Sequence, residues 1–370
     1  MKVEVAIVGN GVAGTACAMR LASEGIRPLL IGAGLPVDRP PLTKSALADG
    51  VPRLLSDAAR LDERGVDRLD GSVAAADLAG CRLTVTTDDG DEMVEAERVV
   101  LATGLAYRSP PVPGLEGAFV NANPHVFDAL APLLTSGPVE VIVVGAGLIG
   151  SESAATLAVA GHSVTLVDML DRPLDRLHDP LPDLGRATLD ELGVRFHGGV
   201  TIESATEYSL ETAAHGTLEA DVILAATGGV PFAPPGLSLE AAQLPLAVAQ
   251  EMLVPGYERV YACGDLVLVP HAHFGLMRFP HWDAAIGTGE HVADSIAGKG
   301  GPYERLPYWW SDIGPRRLAE VGFAGAVSAW ADEDGLHVGR DASGTPVCVL
   351  VVDAPRRLRE ARAIIQDGAS

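Results

Sequence analysis

Two glycine clusters carry the first chemistry legible in this chain. Gly9, Gly11 and Gly14 follow the apolar run Val3 to Val8 in the spacing G-x-G-x-x-G, and Gly145, Gly147 and Gly150 repeat that spacing after Val139 to Val144. The first glycine of such a cluster makes a tight turn, the second lets the backbone approach a pyrophosphate, and the third lets a helix pack closely on its sheet. The intervening pairs, Val12 and Ala13 or Leu148 and Ile149, open a helix whose free N–H groups and dipole favour the anion. An acid at the end of the next strand accepts from the ribose 2′-OH of NAD and repels the 2′-phosphate of NADP, and Asp168 stands at that position in the second copy. In the first copy the same register holds Gly32, so that contact is missing or comes from elsewhere, from Asp38 or a backbone group. Restoring an acid at position 32 is therefore expected to tighten dinucleotide binding.

A lone glycine cluster is weak, because glycines also punctuate ordinary loops. Here the surroundings repeat as well. VAIVGNGVAGTACAMRLASEGIRPLLIG, ending at Gly32, aligns from Gly9 onward without a gap with VIVVGAGLIGSESAATLAVAGHSVTLVD, ending at Asp168. Each copy reads as strand, glycine turn, Ala-rich helix and second strand. A second pair of strands runs into small-residue turns, VVLATG with Ala102, Thr103 and Gly104, and VILAATG ending at Gly228. The fold class expected is α/β, with two related Rossmann-like dinucleotide-binding domains and a small α+β C-terminal domain.

At 370 residues, 48% hydrophobic and 21% charged, the chain has material for two or three globular domains. A net charge of −22 argues against a nucleic-acid partner, which needs clustered basic surface. No apolar run approaches the roughly 20 residues of a membrane helix. The N-terminus enters a strand directly, so a cytoplasmic protein without membrane association is expected, as monomer or homodimer. Cys17, Cys81, Cys263 and Cys348 lack paired spacing, and of ten histidines only His271 and His273 sit close together, so no metal site is expected. Cys17, on the first helix, has no sequence neighbour with which to relay electrons to thiols. Lys2, Lys44 and Lys299 are the only lysines, which singles out Lys44 in its loop.

Four further segments complete a pattern: LPVDRPPLTK (Leu35 to Lys44), VYACGDL (Val260 to Leu266), RFPHWDAAIGTGEHVA from Arg278, and PYERLPYWWSDIGP from Pro302. With the glycine repeat they resemble, over nearly the whole chain, the ferredoxin-reductase group of FAD-dependent pyridine-nucleotide oxidoreductases. That group includes putidaredoxin-type, rubredoxin-type and aromatic-dioxygenase reductases and the related apoptosis-inducing factor. The resemblance implies an FAD domain at 1–106 and 229–300, an NAD domain at 107–228, and a short C-terminal domain at 301–370. It implies that Lys44 lies beside flavin N5 with Glu152 as its partner near the nicotinamide. A cation there stabilises the charge of reduced flavin.

It further implies FAD contacts from Arg39, Pro40, Arg108, Gly264 and Asp265, Asp265 also reading as a helix N-cap. His281 would touch cofactor, and Trp282 and Trp310 would border the isoalloxazine. Pro280 occupies a position usually acidic in the group and has neither acceptor side chain nor N–H, so nicotinamide positioning is expected to suffer. The implied activity is hydride transfer from NADH to FAD, then single electrons to a ferredoxin-like iron–sulfur protein of an oxygenase system. The alternatives are a flavoenzyme acting directly on a quinone, oxygen or a biosynthetic intermediate, or a slow flavoprotein like apoptosis-inducing factor. Arg316, Arg317 and the run Pro355 to Arg362 offer a basic face for an acidic partner, or an ordinary solvated helix face.

Overall fold

The strand Lys2–Val8 ends in four fully buried residues, Val5 to Val8, as expected of a parallel strand covered on both faces. It pairs in parallel with Pro28–Gly32 on one side and Gly90–Leu101 on the other, and Asp67–Asp70 extends the sheet beyond Pro28–Gly32. The chain returns much later, past the whole second half, to add Val260–Ala262 in parallel to Gly90–Leu101. One hydrophobic core accordingly joins Ile7, Leu29 and Val99 to Val260, Val292 and Tyr303. In this computed structural model the described residues are 1–108, 110–121, 123–234, 236–237 and 244–368.

A second, five-stranded parallel sheet has the order Phe119–Val120, Val222–Ala225, Glu140–Val144, Ser163–Val167 and Arg195–His197. Each half inserts an antiparallel meander before its last parallel strand, at 72–101 in the first and 202–219 in the second. The third unit is an antiparallel sheet in the order Tyr308–Ile313, Arg316–Gly322, Pro346–Val352, Leu336–Arg340 and Ala329–Glu333, backed by the helix Leu358–Gly368. The α/β class, the two Rossmann-like halves and the α+β tail are as the sequence leads one to expect.

This third sheet matters to the site because it shares a core with the second half: Trp309, Ile313 and Leu318 pack with Leu157, Leu181 and Leu189. Along Tyr308–Ile313 burial alternates, with Trp309, Ser311 and Ile313 inside and Tyr308, Trp310 and Asp312 less covered. Among the described residues no helix is long and apolar enough to cross a membrane.

Candidate dinucleotide and hydride-transfer site

Both glycine turns are built alike. Gly9 and Gly145 take positive φ, 111° and 102°, and their N–H groups donate to Ile31 and Val167 at 2.8 Å, tying each turn to its second strand. The helices Val12–Ser23 and Leu148–Val159 then start from Gly11 and Gly147, both extended and without a side-chain cap. Their first-turn amides are left for a ligand. A Cβ added to Gly14 would lie 1.9 Å from the Gly9 carbonyl, and one on Gly150 would lie 1.8 Å from that of Gly145. At Gly11 and Gly147 a Cβ would meet nothing within 4 Å. The third glycines are thus packing residues set back from the ligand. The second glycines face open space in front of capless helix ends, so the residues present fit two dinucleotide pyrophosphates.

The two cradles open into one cleft of about 1190 Å³. It is lined by the other residues expected to touch cofactor: Val12, Ala13, Leu148 and Ile149; Arg39, Pro40 and Lys44; Ala102 to Gly104, Arg108 and Gly228; Gly264, Asp265, His281, Trp282 and Trp310. Leu105–Tyr107 and Gly229–Pro231 pair where the chain passes between the two halves, and the Arg108 N–H donates to Gly228. The Arg39 guanidinium lies over the Tyr107 ring at 5.4 Å. Asp265 sits inside the single turn Gly264–Leu266 and caps no helix, since the helix Trp282–Ile296 has His281 at its N-cap. Burial pushes the Asp265 carboxyl up, while Arg39 and Arg278 pull it down.

Lys44 lies at the junction of the three units. Its Nζ is 3.0 Å from Glu152 Oε1 and 3.1 Å from Asp312 Oδ2, and 5.6 Å from the centre of the Trp310 ring. Glu152 is buried and fully engaged. Thr43 Oγ1 donates to Oε2 at 2.5 Å, and Ser311 Oγ and the Asp312 N–H donate to Oε1 at 3.0 Å each. The pair expected from the sequence is therefore present, and Asp312, Thr43 and Ser311 complete it. All three lie in segments the sequence singles out, but nothing local assigns them to this cluster, whose contacts span sequence separations of 109 to 268 residues.

The aromatic wall is also organised. Trp282 and Trp310 meet edge to face at 5.7 Å, and Tyr308 stacks on Trp310 at 5.7 Å. Burial pushes the His281 imidazole down to about 4, so at neutral pH it lines the cleft uncharged. Pro280 lines the cleft beside it without an acceptor side chain. Asp38, the acid offered in place of the one missing at Gly32, accepts from Trp282 Nε1 at 2.9 Å. Cys17, isolated in the sequence, lies close enough to Cys263 for the two to interact electrostatically. Both are fully buried, and burial raises both thiols, Cys263 to about 12, so neither supplies a thiolate. Among the described residues no group of three or more metal-ligating side chains occurs.

The protein family described as pyridine nucleotide-disulphide oxidoreductase matches residues 3–289. The chain belongs to this family. It is 31% identical to the ferredoxin reductase component of chlorobenzene dioxygenase from Cupriavidus sp. (strain PS12), over 99% of this chain and 94% of that one. It is 29% identical to the ferredoxin–NAD(+) reductase subunit of the benzene 1,2-dioxygenase system of Pseudomonas putida, over 98% and 93%. Among solved structures, a ferredoxin reductase from Rhodopseudomonas palustris superimposes with a TM-score of 0.87 at 25% identity, covering 98% of this chain and 95% of that one. The covalent putidaredoxin reductase–putidaredoxin complex shares the fold, with a TM-score of 0.86 at 22% identity over 98% and 93%. Family membership makes the chain a pyridine-nucleotide oxidoreductase, and the family together with these relatives implies flavin and NAD(H) use.

Proposed function

We propose that the chain is an NADH-dependent reductase that holds FAD on its first glycine cradle and NADH on its second, and passes electrons singly to a ferredoxin-like iron–sulfur protein. The observation that carries this reading is Lys44, whose ammonium is fixed between Glu152 and Asp312 where the two cradles open into one cleft. The names and coverage of the relatives support the choice of acceptor. In this reading the FAD domain comprises 1–106 and 229–300 and the NAD domain 107–228. The return of Val260–Ala262 to the first sheet and the closure of the second by Val222–Ala225 support that division.

Bound FAD supplies the redox chemistry, accepting two electrons together and releasing them one at a time. The chain supplies position and charge. Gly11, Val12 and Ala13 hold one pyrophosphate, and Gly147, Leu148 and Ile149 the other. Asp168, whose carboxylate already accepts from the N–H groups of Ala146 and Leu170, orients the NADH ribose. Lys44 presents a fixed positive charge where reduction adds negative charge, with no reorganisation needed at that moment. Glu152 and Asp312 keep that charge in place, and Trp282, Trp310 and neutral His281 exclude water from the same space.

For partner docking the basic run is reduced by internal pairing. Arg316 binds Asp353 at 2.8 Å and Arg357 binds Glu360 at 2.6 Å, while Arg356 and Arg359 are exposed without an ion pair among the described residues. We assign the acidic partner to the face that carries these two. The test is anaerobic reduction with NADH followed by parallel challenge with ferredoxin, quinone, oxygen and disulfide. Rapid flavin reduction with fastest reoxidation by ferredoxin is expected. Fastest reoxidation by a quinone or oxygen would replace this reading with a direct small-molecule oxidoreductase.

A further inference from the structure

The two cradles differ in one exchange of side chains. At the second, the glycine turn carries Ala146 and the strand end carries Asp168, whose carboxylate reaches back to the Ala146 N–H. At the first, the residues aligned with these are Asn10 and Gly32. The bridge runs the other way: Asn10 Nδ2 donates to the carbonyls of Ala33 at 3.2 Å and Gly34 at 3.0 Å, just past the strand end. A Cβ added to Gly32 would lie 2.5 Å from Asn10 Cγ and 2.6 Å from Asn10 Oδ1. The carboxamide therefore occupies the space in which an acidic side chain at position 32 would begin.

Both amide hydrogens are used on backbone carbonyls, which fixes the orientation of the group: a flipped amide would set oxygen against oxygen. Oδ1 carries no partner among the described residues, and Asn10 lines the cleft between Gly11 and Gly32. An aspartate could not take this place, because it has no hydrogens for the Ala33 and Gly34 carbonyls. The neighbouring acid, Asp70, accepts from the Gly34 N–H at 2.9 Å and is not among the lining residues.

Resting on the FAD reading above, we infer that Asn10 Oδ1 is the adenosine-ribose acceptor of the first site, transferred from the strand end to the glycine turn. Gly32 is then a requirement of that exchange. An acid introduced at 32 collides with Asn10, which reverses the expectation that restoring it tightens binding.

The test compares FAD with an FAD analogue lacking the adenosine 2′-hydroxyl, by fluorescence titration of the apoprotein. One neutral hydrogen bond corresponds to roughly a 2- to 12-fold preference for FAD in the wild type. Asn10→Ala, and Asn10→Leu as a variant of closer volume, should bind both flavins with one common affinity. Because each preference is a ratio within one protein, partial loss of stability cancels. Equal wild-type affinity for the two flavins overturns the inference, and so does a preference that survives in both variants. An apoprotein that takes up neither flavin refutes the FAD reading itself, a failure distinct from both.

Discussion

The ammonium of Lys44 lies 3.0 Å from a carboxylate oxygen of Glu152, although one side chain comes from a loop between strands of the first parallel sheet and the other rides the helix Leu148–Val159 of the second half. The contact positions a charge and also joins two halves of the molecule. The two roles separate by substitution. Lys44→Ala should retain FAD, since the cradle that holds the pyrophosphate is untouched, while reduction by saturating NADH slows roughly 10- to 100-fold, the range for losing one charged hydrogen bond. Stopped-flow absorbance decides it, and an unchanged rate returns Lys44 to a structural role.

Glu152→Ala should in addition destabilise the fold. It strands the donors of Ser311 and the Asp312 amide in a buried place and leaves the Thr43 hydroxyl only the Pro40 carbonyl, at a cost of order 2–4 kcal/mol. Thermal unfolding of the apoprotein measures this, with Lys44→Ala as the milder comparison because its partner Glu152 keeps its three donors.

Nucleotide choice should rest on Asp168. Arg172, which also lines the cleft, is held by Asp175 at 2.8 Å, and Arg176 lies nearby. Removing the acid leaves arginines of the kind that accommodate a 2′-phosphate. The wild type should therefore prefer NADH, and in Asp168→Ala the ratio of kcat/KM for NADH over NADPH should fall at least about tenfold, equivalent to 1.4 kcal/mol. An unchanged ratio would move the discrimination elsewhere.

The cradles, the Asp168 position and the Lys44–Glu152 pair were legible because local spacing or a recognisable segment carries them. Asp312 was not, because its distance to Lys44 depends on the third sheet packing against the second half, which no single segment encodes. Asn10 was hidden for another reason. It sits in the most legible motif of the chain, in a position the glycine spacing leaves unspecified, and only the Ala33 and Gly34 carbonyls give its side chain a task. Asp38 shows the converse case. Proximity in sequence made it a candidate for the ribose, and Trp282, 244 residues away, engages it instead.

Behind the cleft wall, Glu320 accepts from Trp309 Nε1 at 3.0 Å and lies 3.0 Å from His178 Nε2. Burial pushes the Glu320 carboxyl up to about 7 and the His178 imidazole down, so burial disfavours the charged form of each. Glu320 has a raised folded pKa, so its contribution to stability is fully present below its ordinary 4.5 and is lost as pH rises through 7. His178 works in the opposite sense, its contribution falling away on acidification below its ordinary 6.5. Glu320→Gln keeps the uncharged form at every pH. Its stability relative to wild type should therefore rise between pH 5 and 8, by on the order of 2–3 kcal/mol. Parallel unfolding curves across that range would exclude a titrating Glu320.

The last prediction separates ligand recognition from packing within one motif. Gly147 and Gly150 are three residues apart in the second cradle, and the same substitution should act on them through different states of the protein. At Gly147 the backbone is extended, with φ −71° and ψ −173°, which any residue adopts, and an added Cβ meets nothing within 4 Å. Gly147→Ala should then leave the unfolding temperature of the protein without NADH nearly unchanged. Its methyl group nevertheless projects into the space assigned to the NADH pyrophosphate, so the Kd for NADH should weaken at least about tenfold, or 1.4 kcal/mol. At Gly150 the Cβ would stand 1.8 Å from the Gly145 carbonyl oxygen and 3.2 Å from the Ala226 methyl, so the helix must move off its sheet. Gly150→Ala should destabilise the protein before any ligand is added, by a few kcal/mol as for other overpacked sites. Calorimetry on both variants, with and without NADH, gives the two numbers. If Gly147→Ala binds NADH as well as the wild type does, the second cradle does not hold the pyrophosphate, and its glycine spacing serves packing alone.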